Sequence, residues 1–157
     1  MKLFYHCFGG AHTSITCAAI HLGYLPMDRT PNAREFISVA HYDKMEDENR
    51  GTPLYIGRDE LGIDIYAIGL KNACNIMIPA IKSYLSAIGV QQKDILFVES
   101  LIKLHPMTGV GGFLSRKLNM VALGRPLTIW GIRRRYSVFV DLVSGVKENL
   151  CRNFGMS

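Results

Sequence analysis

Residues 7–14 read Cys7-Phe8-Gly9-Gly10-Ala11-His12-Thr13-Ser14, a thiol, an imidazole and two hydroxyls gathered around a pair of glycines. Glycines let a backbone curl so that successive N–H groups point into one anion-sized hollow. His12 and Cys7 are the side chains there that can move a proton or attack an electrophile. The chemistry these types suggest is capture of a phosphate or carboxylate group. Gly9, Gly10, Ala11, His12, Thr13 and Ser14 are the expected ligand-binding residues. His12 and Cys7 are the catalytic candidates if a reaction follows. A tight β-α turn in which Gly9 and Gly10 serve backbone geometry alone is the competing reading.

The flanking elements suit the first reading. Lys2 to Cys7 reads as a short buried strand, and Ile15 to Leu22 as an apolar helix closed by Gly23. Strand, small-residue loop and helix start, in that order, turn the free N–H groups and the positive end of the helix dipole toward the loop. Further on, Thr30-Pro31 predicts a helix start, with Thr30 as cap, running to about Val39. Asp43 to Gly51 is acidic and reads as a surface loop. Strands are predicted at Thr52–Arg58 and Ile63–Gly69, joined by a hairpin turn at Asp59-Glu60-Leu61-Gly62. A helix is predicted from about Asn75 to Ile88, stopped by Gly89, with Pro79 either kinking it or marking its start. Asp94–Glu99 reads as an interior parallel strand. A second glycine loop, Thr108–Gly112, precedes a helix Phe113–Leu123. A strand Pro126–Gly131 and a helix Ser137–Leu150 complete the order. The alternation predicts an α/β three-layer sandwich, with a mostly parallel sheet and one β-hairpin, P-loop-like or Rossmann-like. Residues 1–150 are expected to form one domain and 151–157 a frayed tail.

Three constellations bear on the ligand. A P-loop reads Gly-x-x-x-x-Gly-Lys-[Ser/Thr] after a strand. Aligning His12-Thr13 with its last pair keeps only the hydroxyl of Thr13, so the loop resembles a degenerate P-loop without its lysine. Magnesium would then be held by Thr13 and by Glu99, at the end of a neighbouring strand. Arg116, in the first turn after the second glycine loop, and Arg133, after the last predicted strand, are the expected cationic arms. A cysteine phosphatase also places Cys at a strand end before a loop and a helix. The arginine it needs six positions later is Thr13 here, which leaves the phosphoryl charge without its clamp. His6 and His12, with His41 or His105, could instead hold a metal, although no third ligand follows from spacing.

Composition bounds the rest. The chain has 157 residues, 48% apolar and 20% charged, which suits an ordinary globular protein. No run reaches the ~18 apolar residues of a membrane span, and no signal peptide pattern opens the chain. A cytoplasmic location is therefore expected. The four cysteines form no zinc or redox pair and read as free thiols. The net charge of +5 concentrates in the last third, ending in Arg133-Arg134-Arg135. That patch could meet nucleic acid, an anionic membrane or a phosphorylated small molecule, or be a solvated face; no stacking platform or motif supports nucleic acid, which ranks last.

Tyr5–Ser14, Tyr55–Glu60, Gly111–Arg116, Gly124–Leu127 and Gly131-Ile132-Arg133 together resemble an uncharacterised bacterial family. It is a domain of unknown function associated mainly with endospore-forming lineages. The resemblance covers nearly the whole chain and implies no activity or catalytic residue. The leading expectation is a binder of a phosphorylated small molecule or nucleotide, with phosphoryl transfer or hydrolysis as the reaction that fits. The alternative is a non-catalytic interaction protein, a homo-oligomer or a partner of another protein in sporulation, built on a decayed nucleotide-binding scaffold.

Overall fold

The computed structural model describes residues 1–44, 50–100 and 121–153. They form an α/β fold with a four-stranded mixed sheet and five α-helices. The chain divides into two compact units, Met1–Ala18 with Ala40–Leu101, and Ala19–Val39 with Ile102–Ser157.

The first unit holds the sheet. Its strands are β1 (Lys2–Cys7), β2 (Leu54–Arg58), β3 (Asp64–Gly69) and β4 (Ile95–Glu99), in the order β2-β3-β1-β4. β1 is parallel to both β3 and β4, and β2 runs antiparallel to β3 at the edge. A strand buried on both faces reads as a nearly continuous apolar run, and Leu3 to Cys7 is buried throughout. The pleat sends Phe4 and His6 to one face and Leu3, Tyr5 and Cys7 to the other. Helix α3 (Cys74–Ala87) covers the first face, where Met77, Ile78, Ile81 and Leu85 pack on Phe4, Ile68 and Ile95. Phe4 stacks between Tyr66 and Phe97, its register partners on β3 and β4. Helix α1 (Thr13–His21) serves the other face, with Cys17 close to Tyr5, Cys7 and Ser100. Every residue of α1 is buried, which its small side chains Ser14, Cys17, Ala18 and Ala19 allow.

Pro79 neither starts nor ends α3; the helix runs through it and forgoes one backbone bond. It closes at Gly89, whose φ of +93° suits glycine alone, with Val90 N–H donating to the Leu85 carbonyl.

The second unit contributes α2 (Ala33–Ser38), α4 (Val121–Arg133) and α5 (Tyr136–Asn153). Two expectations change here. The cap of α2 is Asn32, not Thr30. Asn32 Oδ1 accepts from the N–H groups of Arg34 and Glu35, and Glu35 returns the bond to the Asn32 N–H. This reciprocal box needs an acid three residues on, which Asn32 has and Thr30 lacks. Arg29 forks onto Glu35 as well and, with the cap N–H, holds its carboxyl down at about 2. The predicted strand Pro126–Gly131 is instead the body of α4. Thr128, Ile129 and Ile132 are buried at helical spacing and α4 packs against α2, so burial outweighs the backbone bond lost at Pro126. Beyond it, Tyr136 donates to the Pro26 carbonyl and meets Phe36 edge-on, while Phe139 and Val143 extend the buried stripe along α5. α5 continues through Asn153, past the expected end at Leu150.

Candidate functional site around Cys7 and His12

The segment between β1 and α1 is fastened from both sides by backbone. Leu70 N–H donates to the Cys7 carbonyl and Lys71 N–H to the Phe8 carbonyl, which prolongs the β1–β3 pairing past the strand ends. On the other side Ser100 N–H donates to the His6 carbonyl at 2.7 Å. Gly10 turns the chain with φ +73°. Gly69 lets the loop descend onto β3: a Cβ there would stand 2.7 Å from the Gly9 carbonyl carbon and 2.8 Å from the Gly10 nitrogen. The fold thus demands a glycine at each of these two positions.

Inside that loop a backbone N–H and a hydroxyl converge on sulfur. Gly10 N–H donates to Cys7 Sγ at 3.0 Å, and Ser14 Oγ lies 3.2 Å from the same atom. Cys7 is 6% exposed, at the foot of the first turn of α1. Cys17 has no access to solvent, and burial pushes its thiol up to about 12.

His12 is not free to reach into the loop on its own terms. Its Nε2 lies 2.9 Å from Asp43 Oδ1, whose side chain is 1% exposed, and its ring meets Tyr42 edge-on. Asp43 N–H donates to the Ala11 carbonyl, so the segment after α2 is tied to the loop twice. His41 and Asp43 both adopt positive φ, +66° and +56°, an uncommon conformation in which His and Asp are among the better-tolerated side chains. Thr16 Oγ1 donates to the His12 carbonyl, while Thr13 is buried at the start of α1. His6 pairs in register with Glu99 on the face covered by α3. Burial lowers the pKa of His6, and the Glu99 charge partly opposes this.

The structure thus brings Cys7, Gly10 and Ser14 together, and separately His12 with Asp43. Glu99 points to the α3 side of the sheet, whereas α1, which Thr13 opens, serves the other. Among the described residues, no group of three or more His, Cys, Asp or Glu side chains is placed to hold a metal ion. Arg116, His105 and the loop Thr108–Gly112 lie outside the described residues. Arg133 follows no strand. It closes α4, where a cation complements the helix dipole, and the next residue, Arg134, lays its guanidinium 4.6 Å from the Trp130 ring centroid.

Three residues of this neighbourhood escaped the sequence reading. Asp43 was hidden in an acidic stretch that reads as solvated surface. Gly69 ends β3 and Lys71 stands two residues beyond it. The pattern Gly69-Leu70-Lys71, at the end of a buried strand, is the one available signal.

No helix among the described residues is long and apolar enough to cross a membrane. No curated protein and no solved structure matches the chain. Residues 2–148 match the family described as "Protein of unknown function (DUF3189)", and the chain belongs to that family.

Proposed function

We propose that this protein binds a phosphorylated small molecule or nucleotide at the loop Gly9–Ser14, and that Cys7 and His12 supply its chemistry. One observation carries the reading: Gly10 N–H and Ser14 Oγ both meet Cys7 Sγ at the N-terminus of α1. Donors that can face a sulfur in this way can also face phosphoryl oxygens. Lys71, whose backbone is bonded to Phe8, is an exposed cation beside the loop and a substitute for the lysine that the P-loop pattern lacks. The reaction that fits is phosphoryl transfer. Cys7 Sγ would form a bond to phosphorus as the P–O ester bond breaks. His12, oriented by Asp43, would take the proton from the Cys7 thiol and give it to the leaving oxygen. Water would then cleave the S–P bond and release inorganic phosphate. With a nucleotide bound, Thr13 is the residue proposed for magnesium; Glu99, on the opposite side of the sheet, takes no part.

The test is a thermal-shift series of the full chain with inorganic phosphate, nucleotides and phosphosugars, with and without magnesium. A ligand at 100-fold its Kd adds about 2.7 kcal/mol of stability. That shift is expected in the native chain and is expected to vanish in Gly10→Val and His12→Ala. Hydrolysis of p-nitrophenyl phosphate, lost in Cys7→Ser, would establish the reaction. No shift with any compound removes the ligand reading and leaves the protein-partner reading in its place.

A further inference from the structure

The two ends of β1 differ in how well they are filled. At the end away from Cys7, roughly 16 Å along the strand by its rise per residue, α3 and the sheet leave a cavity of about 500 Å³. Its lining includes Lys2, Phe4, Tyr66, Ala80, Ile81 and Tyr84, all within the first unit. The space has a sequence cause. α3 presents the small Ala80 here between the bulkier Ile81 and Tyr84, and Phe4 and Tyr66 are stacked rings only 17° from parallel. Small-molecule sites have this volume and this mixture of an apolar body with few polar groups.

Charge at the rim selects among apolar occupants. Lys2 Nζ stands 3.4 Å from Asp64 Oδ2 and 5.6 Å from the Tyr66 ring centroid. Arg58 engages the same carboxylate at 2.8 Å. Two cations therefore share one acid, and the rim keeps a positive surplus. Desolvation disfavours the Lys2 ammonium, yet Tyr66 and Asp64 together outweigh it and keep the amine charged.

From this we infer that the cavity is a binding site for a small aromatic acid. Its ring lies against Phe4 and Tyr66, and its carboxylate or equivalent anionic group meets Lys2. The site is separate from the Cys7 loop and stands or falls independently of it.

The experiment is calorimetric titration of the full chain with 1-naphthylacetate and with its uncharged counterpart, 2-(1-naphthyl)ethanol. One saturable site is expected, at least fivefold tighter for the acid. Ala80→Phe fills the cavity from an exposed helix position and is expected to weaken both ligands at least tenfold. Tyr84→Ala removes a wall and is expected to weaken both without changing the preference, which keeps the test decisive if Ala80→Phe fails to fold. Lys2→Met is expected to abolish the preference while the alcohol still binds. Absence of saturable binding, or binding untouched by both Ala80→Phe and Tyr84→Ala, overturns the proposal. Equal affinity for acid and alcohol overturns the choice of an anion. A self-association seen by sedimentation that excludes naphthylacetate would give the cavity to a second copy of the chain and overturn it as well.

Discussion

α1 and α3 serve opposite faces of one sheet, and they are built by opposite rules. α1 has nine residues, all buried, and lies on the side of the sheet that carries Tyr5, Cys7 and their register partners Ala67 and Gly69. α3 has fourteen residues, none of them buried, and leaves a cavity beside Phe4. The contrast separates two uses of a helix. On the α1 side the loop 8–12 lies so close to β3 that Gly69 has no room for a Cβ. On the α3 side looser packing leaves room for a guest. Close-packed regions lose stability steeply when altered and open ones do not, so the contrast can be attacked one substitution at a time.

The largest effect is expected at Ile15, which α1 buries completely. Ile15→Ala removes three carbons from a region with no slack and should cost about 3 kcal/mol, read as a fall in the urea midpoint at constant slope. A loss under 1 kcal/mol would mean that the α1 face is not close-packed. Next comes Gly69→Ala. The new methyl collides with the backbone of Gly9 and Gly10, which no side-chain rotation relieves, and the cost should be about 2 kcal/mol. The same substitution should erase any phosphate-induced thermal shift, because the loop must lift to admit the methyl. Gly145, on α5, has open space around it, and Gly145→Ala should be neutral or slightly stabilising.

Two polar pairs sharpen the comparison at smaller magnitude. Asp43 is bonded to His12 in a site almost closed to water, whereas Arg29 and Glu35 meet in the open. Asp43→Ala leaves a half-buried imidazole without its partner and should cost about 1–2 kcal/mol. Arg29→Ala should cost clearly less despite its shorter contact, because water screens the exposed pair. Equal losses in urea melts would erase the distinction between the two environments.

Much of the first unit was legible because its signals are local. The run Lys2–Cys7, the glycine pair and the following small-residue helix each obey a period or a turn rule within a few residues. The Asp94–Glu99 strand and the Gly89 stop did as well. Features that depend on tertiary partners were not legible in the same way. Pro126, three residues after Leu123, looks like a break, and only the burial of Thr128, Ile129 and Ile132 shows why a helix persists there. Asp43 reads as one acid among several until His12 is placed beside it. The cap of α2 was readable, since Asn32 and Glu35 have the box spacing, but Thr30-Pro31 offered a competing start with an equally good local rationale. For the site, the loop followed from residue types, whereas the donors on Cys7 Sγ depend on how far the chain curls, which Gly69 decides from 60 residues away.

His6 and its neighbours allow a pH test of the same contrast. His6 faces the α3 side, and burial lowers its pKa below the ordinary 6.5. The folded state therefore prefers the neutral ring, while the unfolded chain takes up a proton at about its usual value. The stability tied to this difference is fully present above pH 6.5 and is lost as pH falls through the lowered folded value. Urea midpoints should thus fall between pH 7.5 and pH 5, and His6→Gln should flatten that fall. An unchanged slope in His6→Gln would assign the acid sensitivity to other groups, with the carboxylate of Asp64, held low by Arg58 and Lys2, as the first to examine at still lower pH.

The smallest effect is the one that most directly opposes Ile15. Ile76 carries the same side chain on α3 but is 68% exposed. Ile76→Ser removes apolar surface that water already reaches, so the change should lie within about 0.5 kcal/mol. The serine also lowers helix propensity only slightly relative to isoleucine. Measured at several protein concentrations, the result separates two causes for that exposure. A small effect independent of concentration means that the outer face of α3 is solvated in the free chain. A loss above 1 kcal/mol that grows with protein concentration means that Ile76 is buried against another copy, because only association makes stability depend on concentration. In that case the helix that looks loosely held in one chain would be closely held in two, and the difference between α1 and α3 would lie in what covers each helix, not in how tightly each is built.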